Sequence, residues 1–368
     1  MKVLTVVGTR PEVIRLSRVI PKLDESVDHV LLHTGQNKDH SLNELFFEEM
    51  RIRSPDYTFD LNTSSLGKIL ADIMLVTEEV IQKEQPDAFL VLGDTNSGLS
   101  ALIAKRMNIP VYHMEAGNRC FDENVPEETN RRVIDHLADF NLVYTEHARR
   151  NLLNEGFPAR RILLTGSPMR EVIDYYSQDI SRSNALLELG LESKKYFLVS
   201  AHRQENVDDP ERLDSLLRCL HKLASEWDLP VLVSTHPRTK QKLDARDAQE
   251  IPGVIFHEPF GFFDYCQLQK HSLCVASDSG TISEEASILG FPAVTLRSSI
   301  ERPEALDAGS IIMTDLRIES VLDGVRAAIQ DSNVASEPSD YLPANASVRV
   351  RNFILSTAYE HPIWAGLR

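Results

Sequence analysis

The sequence predicts an α/β protein made of two doubly wound, Rossmann-like domains that face one another across a cleft. Three observations carry that prediction. Short apolar runs of strand length recur along the chain, and helix-length segments separate them, several opening on a glycine or small-residue turn. The 368 residues exceed one ordinary domain. Two stretches, AFLVLGDTNSGLSALIAKRMNIPVYHMEAG and LCVASDSGTISEEASILGFPAVTLRSS, share one order: apolar strand, Asp, small residues, alanine-bearing helix, x-Pro, strand.

The first apolar run, Met1 to Val7, leads into Gly8-Thr9-Arg10-Pro11-Glu12 and a helix carrying Val13, Ile14, Leu16, Val19 and Ile20. Glycine lets the backbone approach a ligand, a helix N-terminus offers free N–H groups, and Arg10 adds charge, so this turn is a candidate anion site. Arg10 as a structural cap partner is the alternative. The turn is not a GxGxxG fingerprint, so no dinucleotide cofactor is indicated. A second strand, His29 to His33, precedes helices over 43–50 and 66–82. The strand Ala88 to Gly93 then delivers Asp94 and Thr95 ahead of a small-residue helix, Ser97 to Met107. After Pro110, VYHM leads to Glu115. Asp94 and Glu115 therefore end two successive strands of one parallel sheet, on the side where open α/β sheets bind ligands; a helix N-cap is the competing role for Asp94.

The stretch HMEAGNRCFDENVPEETNRRVIDHLAD, from His113 to Asp139, concentrates Glu115, Arg119, Asp122, Glu123, Glu127 and Glu128. Pro126 suits the first turn of a helix whose apolar side is Val133, Ile134, Leu137 and Ala138. Glu127 and Glu128 then stand at its positive end, as acid–base groups or as ornaments of a helix terminus. Cys120, in the same stretch, is a minor candidate nucleophile.

Strands at 140–145 and 161–166 complete the first half, followed by a helix at 169–176 and a polar passage to Asn184 that reads as the linker. The second half repeats the pattern with strands at 195–200, 229–234, 253–257, 272–276 and 291–296. The domains are placed at 1–168 and 190–345, with a helix at 348–359 returning, in a segment 347–368, to the first. His202-Arg203 and His236 with Arg238 follow strands directly; such histidines bind phosphate, move protons or cap helices. Ser277 to Glu285 opens a helix with hydroxyls and a glycine, so that N–H groups around Ser279, Gly280 and Thr281 can cradle a diphosphate, with Glu285 placed for a ribose. Glu301-Arg302-Pro303-Glu304 supplies another cation nearby.

The composition, 42% hydrophobic and 26% charged, is that of a soluble globular protein. A formal charge of -16 argues against a nucleic-acid partner, which needs a basic face, so an anionic ligand requires a local cationic pocket. Four cysteines without CxxC spacing and no preceding secretory segment indicate reduced thiols in a cytoplasmic protein. No apolar run spans a membrane, and no clustered His/Cys set suggests a metal. Helix N-termini and cations for a diphosphate, beside carboxylates for proton chemistry, describe a nucleotide-sugar enzyme. Without a hydride acceptor, inversion at C2 needs another way to acidify its C–H, and expulsion of UDP from C1 provides one: the C2 proton is lost, a proton returns on the other face and UDP re-adds.

These residues resemble the non-hydrolysing UDP-N-acetylglucosamine 2-epimerase family, through GTRPE (Gly8 to Glu12), GDT (Gly93 to Thr95), EAG (Glu115 to Gly117), PEExNR (Pro126 to Arg131), HRxE (His202 to Glu205), DSG with EEA (Asp278 to Gly280, Glu284 to Ala286) and ERPE (Glu301 to Glu304). The resemblance covers nearly the whole chain and implies a glycosyltransferase B-like fold, no cofactor and a homodimer. It implies that Asp94, Glu115, Glu127 and His202 are catalytic, that Arg10, His236, Ser279, Gly280, Glu285 and Arg302 hold UDP, and that Arg15, Tyr265 and Thr281 complete the substrate-binding set. Arg15 stands where the family usually has Lys, Phe260 and Tyr265 differ from its commonest uridine-side residues, and Gln36-Asn37-Lys38 departs from its regulatory-site pattern. HMEAGNRCFD, with VVGTRPEVIRLS and LGDTNS, is most similar to the branch forming UDP-N-acetyl-L-fucosamine from UDP-2-acetamido-2,6-dideoxy-L-talose for capsule or O-antigen, in which Phe121 suits a sugar lacking the 6-hydroxyl. A glycosyltransferase of the same fold is the main rival.

Overall fold

The computed structural model describes residues 1–35, 46–244, 250–331 and 336–367. The expected Gln36-Asn37-Lys38 site and the start of the 43–50 helix lie outside them. The chain forms two compact units, Met1–Asp174 with Leu342–Arg368, and Tyr175–Tyr341. Among the described residues, unit 1 carries β1 (Lys2–Val7), β2 (Asp28–His33), β3 (Tyr57–Thr58), β4 (Ala88–Leu92), β5 (Val111–Met114), β6 (Phe140–Val143) and β7 (Ile162–Leu164), paired parallel in the order β3-β2-β1-β4-β5-β6-β7. Unit 2 carries β8 (Phe197–Ser200), β9 (Val231–Ser234), β10 (Val254–His257), β11 (Cys274–Ser277), β12 (Ala293–Thr295) and β13 (Ile312–Met313), parallel in the order β10-β9-β8-β11-β12-β13. The two doubly wound parallel-sheet units are those the sequence predicts. The edge strands β3 and β13 escape a sequence reading because two residues have no periodicity to detect.

The strands read as continuous apolar runs because helices cover both faces. Along β8 and β9, Phe197, Val199, Val231 and Val233 enter one buried cluster while Leu198 and Leu232 enter another. Successive side chains point to opposite faces, so both parities must be apolar. Unit 1 follows the same rule, with Leu4, Val6, Val30, Leu32, Phe89 and Val91 on one face and Val3, Val7 and Leu31 buried on the other.

The helices differ from expectation in three places. The first is two, Arg10–Leu16 and Val19–Asp24, because Pro21 has no N–H for the Ser17 carbonyl and its ring crowds it. The helix after β4 begins as a tighter turn, Asn96–Ser100, before Ala101–Arg106. The polar passage expected as a linker is itself helical over Ser177–Arg182, buries Ile180, and packs on the helix Phe262–His271. A single apolar anchor in a polar segment leaves no compositional trace.

The C-terminal helix Ala346–Thr357 belongs to unit 1 and packs on Val19–Asp24. The ring of Phe353 meets the stacked pair Tyr112 and Phe140 edge-on, at 6.2 and 5.4 Å. The Tyr112 hydroxyl bonds Thr357 Oγ1 at 2.7 Å, and Ile354 is completely buried. Ile354→Ala should therefore weaken unit 1 by roughly 2–5 kcal/mol, seen in denaturant titration as an early transition of that unit alone; an unshifted curve would show the helix to be dispensable.

Candidate active site

In an open parallel sheet, the crevice beyond the carboxyl ends opens where strand order reverses. That point lies between β1 and β4 in unit 1 and between β8 and β11 in unit 2. The turns after these four strands carry Gly8 to Arg10, Gly93 to Thr95, Ala201 to Arg203, and Asp278 to Gly280, which include many of the residues singled out by sequence.

In unit 1, Glu12 joins the two turns. Its buried carboxylate accepts from Gly8 N at 3.0 Å, Thr9 Oγ1 at 2.7 Å and Thr95 Oγ1 at 3.0 Å. Burial pushes this carboxyl up to about 7, against the lowering effect of those donors. A Cβ on Gly8 would lie 2.0 Å from Ser97 Oγ and 2.4 Å from Thr34 Oγ1, so close packing of the turns already requires glycine there. The Arg10 guanidinium stacks over the Phe46 ring at 4.2 Å.

Asp94 is held by Arg131, whose Nη2 and Nε lie 2.7 and 3.1 Å from Oδ2. Glu115, at the end of β5, takes an ion pair from buried Arg15 at 2.7 Å. Glu115 is also left-handed, with φ +66, a conformation that costs a non-glycine residue on the order of 1 kcal/mol and tends to persist at functional sites. Arg15 was expected to bind substrate; it is 3% exposed and directs Nη1 to Glu115. Glu127 and Glu128 occupy the first turn of the helix Pro126–Leu137 with unequal surroundings. Glu127 is half-buried. Glu128 is buried and accepts from Cys120 N, Arg131 and Arg132; burial raises its carboxyl, and these partners outweigh it and hold it low. Cys120 is a poor nucleophile, because burial pushes its thiol up and the Glu128 carboxylate adds to the shift. All four cysteines are buried and none is in a disulfide.

In unit 2, fully buried Asp278 ties β8 to β11 by accepting from His202 N at 3.1 and 3.0 Å, Arg203 N at 3.0 Å and Asn206 Nδ2 at 3.0 Å. The His202 ring remains partly exposed, 5.8 Å from that of His236. Packing around its ring, then the nearby His202 and Arg238, lower the His236 pKa. The Ser279 and Thr281 hydroxyls bond each other at 3.0 Å just before the helix Ile282–Leu289. A Cβ on Gly280 would strike Glu301 Oε1 at 2.3 Å and Arg302 Nη1 at 2.4 Å. Arg302 is buried, with Nε 3.4 Å from Glu284 and Nη1 3.5 Å from Glu301. Glu285 accepts from Gln269 Nε2 at 2.6 Å; burial and the Glu285 charge push the Tyr265 hydroxyl up.

Sequence reasoning assigned no role to Arg131, Glu12 or Asp278, although each lies inside a quoted motif, and it left Glu128 as an acid–base group or an ornament of the helix terminus. The i,i+3 spacing of Glu128 and Arg131 was visible. The pairing of Arg131 with Asp94, 37 positions away, and of Arg15 with Glu115, 100 positions away, was not. Among the described residues no group of His, Cys, Asp or Glu is placed to hold a metal ion, and no helix is long and apolar enough to cross a membrane.

Fold and side chains define an α/β enzyme of two doubly wound units, with paired carboxylates and arginines at the switch point of one and histidines with a hydroxyl-lined helix start at that of the other. The chain belongs to the UDP-N-acetylglucosamine 2-epimerase family, whose model matches residues 21–355; it is an isomerase. A UDP-N-acetylglucosamine 2-epimerase structure from Rickettsia bellii superposes with a TM-score of 0.91 at 43% identity, covering 98% of each chain. The Methanocaldococcus jannaschii UDP-GlcNAc 2-epimerase, solved in complex with UDP-GlcNAc and UDP, gives 0.91 at 31% identity over 97% of this chain and 100% of its own. The UDP-2,3-diacetamido-2,3-dideoxy-D-glucuronate 2-epimerase of Pseudomonas aeruginosa is 32% identical across 96% of this chain and 99% of its own.

The raised Glu12 carboxyl makes stability depend on pH. Glu12 protonates near 7 in the folded chain and near the ordinary 4.5 when unfolded, so its contribution is complete below 4.5 and is lost as pH rises through 7. The stability advantage of the wild type over Glu12→Gln should shrink by roughly 3 kcal/mol across that window. Denaturation at a series of pH values measures it, and a constant difference would mean that Glu12 titrates normally.

Proposed function

We propose that the protein inverts C2 of a UDP-2-acetamido sugar by elimination and re-addition of UDP. The observation that carries this reading is the pair of carboxylates, Asp94 and Glu115, at the ends of adjacent strands, each held by a buried arginine, in a chain without a dinucleotide fingerprint. The C1–O bond breaks and UDP departs with its electron pair. The oxocarbenium-like centre at C1 acidifies C2–H, a carboxylate takes that proton, and a 1,2-unsaturated sugar remains. Protonation of C2 from the opposite face and return of UDP to C1 give the epimer.

In this reading unit 1 supplies the proton chemistry through Asp94, Glu115 and Glu127, with Arg15 acting through Glu115. Unit 2 holds UDP: Ser279, Gly280, Thr281 and Arg302 for the diphosphate, Glu285 for the ribose and Tyr265 for the uracil side. His202 and His236 steady the departing diphosphate, and Arg10 is a further UDP-binding residue. As substrate we propose UDP-2-acetamido-2,6-dideoxy-L-talose, converted to UDP-N-acetyl-L-fucosamine for capsule or O-antigen by a cytoplasmic homodimer. The support is HMEAGNRCFD, in which Phe121 is 72% exposed and left-handed at φ +54, an apolar surface for a 6-deoxy sugar. UDP-N-acetylglucosamine is the second reading, favoured by the names of the Rickettsia bellii and Methanocaldococcus jannaschii proteins.

Incubating each nucleotide sugar without an acceptor and following products by NMR decides between them, and turnover only with an acceptor would identify a glycosyltransferase. In deuterium oxide the product should gain deuterium at C2, whereas exchange at C3 or C4 would refute the mechanism. Asp94→Asn, Glu115→Gln and Glu127→Gln should each lose about 10²–10⁴-fold in turnover, the scale of general acid–base catalysis. Arg10→Ala should cost roughly 1.5–3 kcal/mol of UDP binding by calorimetry, as for hydrogen bonds to charged groups; full affinity would remove Arg10 from the site.

A further inference from the structure

The carboxylates proposed to move protons stand on three elements: Asp94 on the turn after β4, Glu115 at the end of β5, and Glu127 on the helix Pro126–Leu137. The Asp135 carboxylate, on that helix, bonds to residues of β5 and the loop after it, and through His113 it is linked to the turn after β4. Asp135 lies in the last turn of that helix and is completely buried. It accepts from Arg119 Nη1 at 2.7 Å and from Gly117 N at 3.1 Å, and it meets His113 Nδ1 at 2.8 Å. His113, on β5, is also completely buried, and its Nε2 lies 2.8 Å from the carbonyl oxygen of Gly93, the residue before Asp94. Glu115 is therefore bracketed by two residues bonded to Asp135, His113 before it and Gly117 after it. Those flanking bonds hold the left-handed Glu115 backbone in place.

The partners of the His113 ring decide its form. Burial alone would push the Asp135 carboxyl up, but the His113 and Arg119 bonds outweigh it and hold it below the usual range. A carboxylate and a carbonyl are both acceptors, whereas a neutral imidazole has one donor and one lone pair. A lone pair facing the Gly93 carbonyl at 2.8 Å would repel it, and with Asp135 ionised both ring nitrogens face acceptors. Charges then alternate from exposed Glu155, through Arg119 with bonds of 2.8 and 2.7 Å, to buried Asp135, which faces His113. Paired in this way, buried charges rigidify a site.

We propose that His113, as an imidazolium clamped between Asp135 and the Gly93 carbonyl, and Asp135 itself are positioning residues that hold Asp94, Glu115 and Glu127 in register for proton transfer at C2. The assignment rests on the epimerase reading above. Asp135→Asn keeps the shape of the clamp and removes its charge. In the full chain it should lower kcat on the order of 10²-fold, the scale of a displacement of about 1 Å, with KM for the nucleotide sugar nearly unchanged. Nitrogen-15 NMR at neutral pH should show His113 protonated at both nitrogens in the wild type and changed in Asp135→Asn. A folded Asp135→Asn protein with wild-type kcat would overturn the proposal. So would a neutral His113 ring in the wild type, a measurement that stands even if the variant does not fold. A wild type that shows the imidazolium yet epimerises no UDP-sugar would leave the clamp standing and sink the functional reading instead.

Discussion

Parallel strand pairing is the constraint on which the rest of this molecule depends. A strand can return parallel to its neighbour only by a crossover, and each crossover brings the chain back to the same end of the sheet. All carboxyl ends therefore collect on one edge, and the turn after each strand is the place where polar groups leave the core. Gly8 to Arg10, Asp94, Glu115, His202 and Asp278 share nothing in sequence position; they share the turn that follows a buried strand. The same constraint makes the strands uniformly apolar, because crossover helices cover both faces.

That edge needs its own internal chemistry, since several carboxylates converge on it in a chain already at -16. The structure answers with buried arginines rather than a basic surface. Arg15 meets Glu115, Arg131 lies between Asp94 and Glu128, Arg119 joins Asp135 to Glu155, and Arg203 and Arg302 flank Glu301. A buried pair of this kind contributes little net stability, because desolvation offsets the attraction, while breaking one leaves an uncompensated charge. Their value lies in direction: a bidentate guanidinium fixes a carboxylate oxygen in place. Glu12 and Asp278 do the same with backbone and hydroxyl donors, each fastening the two turns of a switch point to each other.

Much of this was legible in the residues. Continuous apolar runs with helix-length spacing point to parallel strands, because crossover helices then cover both faces of the sheet and bury both parities of a strand. A strand end followed by Asp or Glu specifies a carboxylate at the ligand edge. The motifs around Asp94, Glu115, Glu127, His202 and Ser279 carried the family. Boundaries and short elements were less legible: β3 and β13 are too short for a pattern, and the helix at Ser177–Arg182 is held by packing of Ile180 rather than by composition.

Side-chain partners were decided only by the tertiary structure. The sequence contains Arg15, Arg131, His113 and Asp135, but nothing local says that Arg15 belongs to Glu115 or that His113 reaches the Gly93 carbonyl, since these groups meet across strands 20 to 100 positions apart. Nor does it say that Gly8 and Gly280 are glycine because Ser97 and Glu301 fill the space of a side chain. Strand formation and burial follow from periodicity, which is local and additive along the chain. Pairing of charges follows from which turns the sheet order makes neighbours, and that order exists only once the strands have been placed side by side.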